Sequence, residues 1–210
     1  MADHDALIDR LARDVRPVRR PAPPWQRTAA WLLLALPCGA LASWALQRRA
    51  TDWSQPGAAW AGLDIMLSFA LGVLAMVSAF RRSIAGREAL GWRWFAPLAA
   101  AWVCAAVAGV ASSGDPFGRL GDGVHCYAFM LLAGAPMIAI VLLALRSTPS
   151  LQPERTLVIA GLGVAAITQC LLGLCHPVAV HLLDLGMHLA GALTLTLGAV
   201  LAGRRCIAIE

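Results

Sequence analysis

The chain has 210 residues, 59% hydrophobic and only 14% charged, with a formal net charge of +5. Apolar runs of 18 or more residues at this composition point to several bilayer crossings and exclude a soluble globular domain. All seventeen cationic side chains are arginine, gathered in short stretches without a basic stripe interleaved with aromatics, which excludes a nucleic-acid groove.

Residues 1–27 are polar and arginine-rich. Within them Leu7, Ile8, Leu11 and Val15 recur at spacings of three and four, which lays one apolar stripe on a helix starting near Asp3 or Asp5. Acids early and arginines late suit the helix dipole. Arg16-Pro17 is expected to end this helix, and Pro21-Ala22-Pro23-Pro24 to form a stiff spacer up to an interfacial Trp25. So short a helix is marginal alone in water, so the arm is expected to order when its stripe meets a partner. Ala40-Leu41-Ala42 imitates a signal-peptidase site, but the long acidic and basic region before it and the full-length span around it argue against cleavage.

Six spans are expected: Thr28 to Leu46, Ala58 to Phe80, Trp94 to Ala111, Val124 to Leu145, Thr156 to Leu174 and Val178 to Ala202. The arm, the second and fourth loops and the tail hold fourteen of the arginines, and the first, third and fifth loops hold three: Arg48, Arg49 and Arg119. Both termini are therefore expected in the cytoplasm. The expected fold is all-α, a six-helix transmembrane bundle over 28–205, with a short cytoplasmic amphipathic arm over 1–27 and a cytoplasmic tail over 206–210. Small residues such as Gly161, Gly163, Gly191 and Gly198 are expected to let helices pack closely.

This topology sets Cys126, at the head of span four, and Cys175, just after span five, on one membrane face that permits disulfides. Cys38, Cys104 and Cys170 fall within spans and Cys206 in the tail. Cys126 and Cys175 are the best pair to bond, with two unpaired small side chains as the alternative. His125 and His176 flank these cysteines, and His181, Asp184 and His188 sit at i, i+3 and i+7 on one face of span six. An imidazole beside a thiol raises its thiolate fraction and its hold on soft metals. These five residues are therefore candidates for thiol tuning or metal binding, and a transient soft metal ion at Cys126 and Cys175 is the candidate cofactor. The chain has no Cys-x-x-Cys, so a permanent structural zinc site is not expected. Asp64 and Asp184 are acids at membrane depth, where a partner is the rule; for Asp184 the candidates are His181 and His188, and the alternative for both acids, each near a span end, is solvation at the surface.

Neither a nucleophile-and-base motif nor a phosphate loop nor a carboxylate pair is visible, so no enzyme and no small-molecule substrate are expected. Two competing readings are a thiol oxidoreductase serving a quinone, which has only two outward cysteines to use, and an ion or metal transporter through Asp64, Asp184, His181 and His188. The transporter lacks broken spans in related halves.

Leu7-Ile8-Asp9-Arg10-Leu11, then Asp14-Val15-Arg16-Pro17-Val18-Arg19-Arg20, a proline-rich step, six spans and a cysteine before the sixth together resemble the NrsF family, negative regulators of the extracytoplasmic-function (ECF) sigma factor F. The resemblance implies an integral anti-sigma factor of the bacterial inner membrane whose partner is an ECF sigma factor. It also implies that Cys126 and Cys175 are the thiols that sense oxidative or heavy-metal stress. The arm, through Leu7, Ile8, Leu11, Asp14, Val15, Arg16 and Pro17, would take part in holding the sigma factor.

Overall fold

The computed structural model describes residues 2–14, 21–84, 86–119, 121, 123–148 and 150–207. Among them every regular element is a helix: α1 (Ala2–Asp14), α2 (Pro24–Ala45), α3 (Ala58–Arg82), α4 (Trp92–Ala111), α5 (Val124–Arg146), α6 (Pro153–Gly173) and α7 (Leu182–Gly203). The six helices α2 to α7 are long and apolar enough to cross a membrane, and they fall on the six expected stretches.

Their ends differ from expectation for local reasons. Both α2 and α6 start earlier, on Pro24 and Pro153, because proline at the head of a helix gives up an N–H that has no intrahelical partner there. By contrast α7 starts later. His181 is its N-cap in extended backbone, and the His181 N–H donates to Asp184 Oδ2 at 3.1 Å. That is the reciprocal half of a capping box. Val178 to Val180 are consequently not helical, and His181 does not share a helix face with Asp184 and His188.

The arm helix α1 leaves Leu7, Ile8 and Leu11 exposed, at 53%, 62% and 60% of their full accessibility, so among the described residues this part of the apolar stripe is uncovered. Val15, Arg16 and Pro17 lie outside the described residues, as does the side chain of Asp14.

In the bundle, α6 is the axis. It packs most extensively on α3 and then on α7, with α5 and α2 also against it, while α4 sits at the rim on α3. Close approach comes from missing side chains: a Cβ on Gly161 would lie 2.7 Å from Thr196 Cα of α7, and one on Gly163 would lie 2.9 Å from Met76 Sδ of α3. Gly191 meets Met130 in the same way, but Gly198 faces open space and is not a packing residue.

The two ends of the bundle are tied differently. At one, Arg27 in the first turns of α2 donates to Ser83 Oγ (3.1 Å), Ala144 O (2.8 Å) and Thr148 Oγ1 (3.0 Å) and lies 4.5 Å over the Phe80 ring. The start of α2 is thereby bound to the ends of α3 and α5. At the other, the Thr51 N–H donates to Leu174 O (3.0 Å), the Thr51 hydroxyl lies between Gly173 O and His176 O (2.8 and 2.9 Å), and the Leu182 N–H donates to Pro116 O (2.9 Å). These bonds gather the loops after α2, α4 and α6 at one end.

Candidate thiol and imidazole site

Cys126 stands in the first turn of α5, which Gly123 introduces in the left-handed region at φ +82. A Cβ on Gly123 would meet Met187 Cγ at 2.9 Å and Asp184 Cα at 3.3 Å, so its absence lets the head of α5 lie against the head of α7. His188 comes from the second turn of α7, and His176 from the loop that Thr51 fixes after α6. The Cys126 thiol and one nitrogen from each of these imidazoles lie within 4.8 Å of one another, all three residues buried. The two rings meet edge to face with centroids 5.4 Å apart.

Hydrogen bonds decide which ring atoms face inward. His176 Nδ1–H donates to Pro177 O at 2.7 Å, which leaves the lone pair on Nε2. His188 Nδ1 is 3.1 Å from the Gln169 amide nitrogen, and its Nε2 is buried without a partner. With the amide N–H donating, neutral His188 carries its proton on Nε2. Turning the amide brings forward Gln169 Oε1, itself unpartnered, which would accept from Nδ1–H and free the Nε2 lone pair for a cation.

Charged groups surround the site. Asp184 Oδ2 accepts from the His181 backbone N–H and its Oδ1 lies 3.9 Å from His176 Nε2, so neither the His181 nor the His188 ring expected from spacing pairs with it. Arg48 lies against the Cys126 thiol and close to His176. Burial holds the His176 imidazole below its ordinary value; Arg48 and His181 push the same way, and the Pro177 carbonyl and Asp184 oppose them. His176 is thus neutral near pH 7, the form in which imidazole binds metals.

The remaining candidates take other positions. Cys175 is a half-buried free thiol whose Sγ approaches Leu171 O at 3.8 Å, and it does not join the group of three. His125 is exposed and, with Arg48, Cys175 and His176, lines a cavity of about 890 Å³ among the loops. His181 Nδ1 bonds Asp115 O, which pins the loop after α4 to the head of α7. Arg48, Thr51 and Gln169 belong to the site although nothing in the sequence analysis singled them out. Gln169 had a signal, an amide within the apolar stretch of α6 near its end; Arg48 was read only as a loop charge.

One thiolate and two imidazoles suit zinc, cadmium or another soft cation, and leave a fourth position open. Metal–ligand lengths of about 2.0–2.3 Å place tetrahedral donors about 3.3–3.8 Å apart, so capture of an ion would draw this group together by about 1 Å.

A family model described as NrsF, negative regulator of sigma F, matches residues 11–208. No curated protein and no solved structure matches the chain.

Proposed function

The chain belongs to the NrsF family of negative regulators of sigma F, and from that premise we propose a membrane-embedded anti-sigma factor for a sigma factor of the ECF type. It spans the bacterial inner membrane six times with both termini in the cytoplasm. In resting cells the stripe of Leu7, Ile8 and Leu11, continued by Asp14, Val15, Arg16 and Pro17, lies in a groove of the sigma factor and keeps it from RNA polymerase. The observation that carries this reading is the uncovered apolar stripe on α1. The family match begins at Leu11, so Leu7 and Ile8 lie just before it and enter on the resemblance of the arm, their spacing and their exposure.

The signal arrives at the opposite face, where Cys126 and Cys175 sense oxidants or soft metals. Oxidation would join the two thiols; a metal ion would instead take Cys126 with His176 and His188, the donors that lie together, with Asp184 balancing its charge and His125 and His181 at the margin. A disulfide biases an equilibrium by about 2–4 kcal/mol, whereas moving a population from 1:99 to 99:1 takes about 5.5 kcal/mol. One disulfide therefore gives substantial but incomplete release.

The test is co-purification of an ECF sigma factor with the wild-type chain, the Leu11→Asp variant and the Cys126→Ser/Cys175→Ser variant. Leu11→Asp should lose the sigma factor. The double variant should keep it and no longer induce the sigma regulon under stress. Retention by Leu11→Asp sinks the arm's role, and induction in the double variant sinks thiol sensing.

A further inference from the structure

Gln169 of α6 stands between two groups on neighbouring helices. Its amide nitrogen is 3.1 Å from His188 Nδ1 of α7, and the same amide faces the Asp64 carboxylate of α3 as a donor. The Trp102 indole N–H of α4 faces Asp64 as well, and neither contact with the carboxylate closes into a bond of ordinary geometry. Asp64, Gln169 and His188 share the wall of one small cavity of about 50 Å³. Three buried atoms along this line have no hydrogen bond: Trp102 Nε1, Gln169 Oε1 and His188 Nε2.

Buried polar atoms without partners are costly, so an arrangement that keeps three of them must be held by a stronger interaction. Turning the Gln169 amide over would let Oε1 accept from His188 Nδ1–H, which satisfies one of the three at once. Charge opposes the turn. As placed, Nε2 points one hydrogen at the His188 Nδ1 lone pair and leaves the other for the carboxylate; turned over, Oε1 would stand against the carboxylate, oxygen against oxygen. We propose that Asp64 is a positioning residue that locks the Gln169 amide and so keeps the His188 proton on Nε2, the nitrogen left for the group with Cys126 and His176.

The lock itself stands on these contacts, and its consequence rests on the metal reading of that group. While Nε2 carries a proton it has no lone pair for a cation, so capture waits for the amide to turn. A cation meets only the fraction of chains in the turned form, and the lock therefore raises the concentration at which the site fills. The sign of the effect separates this role from plain attraction. A nearby carboxylate favours a cation by Coulomb's law, so removing Asp64 for its charge alone would weaken binding. Removing it as a lock strengthens binding.

The experiment uses the full metal-free chain in phosphatidylcholine nanodiscs, isotope-labelled at the histidine nitrogens, as wild type, Asp64→Leu, Gln169→Leu and the double variant. Nitrogen NMR reads the His188 tautomer, with its resonances assigned by their loss in His188→Gln, and competition with a chromophoric chelator reads cadmium affinity. The wild-type His188 should carry its proton on Nε2, and Asp64→Leu should move a large share of it to Nδ1. Cadmium should then bind Asp64→Leu about tenfold tighter than wild type, and Asp64→Leu should give no tightening when Gln169 is already leucine. A wild-type proton on Nδ1, or a tautomer that Asp64→Leu leaves unchanged, overturns the lock. Tightening that persists in the Gln169→Leu background overturns its route through the amide. Should the tautomer move as expected while no form of the chain binds cadmium, the lock stands and the metal reading falls.

Discussion

His176 is the side chain that makes a metal reading of the Cys126 site specific. Its Nδ1–H is committed to Pro177 O, its Nε2 is free, and its burial disfavours protonation, so it meets a cation as a ready ligand. Only the thiol has to lose a proton on binding. The geometry separates two arrangements that the sequence left together, a metal held by the two cysteines and a metal held by one cysteine with two imidazoles. Cys126→Ser and His176→Gln are each expected to weaken cadmium binding to the purified protein by about 10- to 100-fold, while Cys175→Ser leaves it within about threefold. Competition with a chromophoric chelator measures all three. A loss in Cys175→Ser as large as that in Cys126→Ser would return the site to the cysteine pair. Adjacency along the chain matches each cysteine with its own neighbouring histidine, and tertiary packing adds a different grouping. His125 points outward from the first turn of α5, and the imidazoles beside Cys126 come from two other elements that only tertiary packing brings near.

At the scale of elements, the six long helices were readable because a span must be apolar along its whole length. Their boundaries were not, because caps and not hydropathy set them. Val178 to Val180 are as apolar as any helix, yet the chain there is not helical, and α7 begins only where the Asp184 carboxylate accepts from the His181 N–H. Helix contacts were equally hidden: the composition marked four glycines alike, and three are packed while one is not. Gly161 and Gly198 make the paired test. Gly161→Ala sets a methyl against Thr196 Cα of α7, a backbone atom that yields only if the helix moves, and should cost about 1–3 kcal/mol. Gly198→Ala enters open space and should be neutral or stabilise by up to about 1 kcal/mol through helix propensity. Denaturation midpoints in detergent would rank the two, and equal losses would show that α6 and α7 are less tightly apposed than the geometry requires.

For the whole molecule, the proposed function needs news from one end to reach the other, and α2 is the helix that joins them. Past its last turn Arg48 lies against Cys126 and near His176; in its first turns Arg27 bonds α3 and α5, and the arm follows directly before Pro24. A cation captured by Cys126, His176 and His188 would draw those residues inward and repel the Arg48 guanidinium, so the charge at the end of α2 must move. Whatever that movement does to the arm is a coupling free energy, and coupling is reciprocal: if cadmium weakens the sigma factor's hold by some factor, the sigma factor weakens cadmium by the same factor. Arg48→Gln removes the repelled charge and leaves all three metal donors in place. Sigma-factor affinity, measured with and without saturating cadmium, should therefore fall at least about tenfold in the wild-type protein, a coupling of about 1.4 kcal/mol, and by only a few-fold in Arg48→Gln. If cadmium binds Arg48→Gln normally and still releases the sigma factor as in the wild type, the signal does not travel through α2, and the contacts of α6 with α3 and α7 become the next route to test.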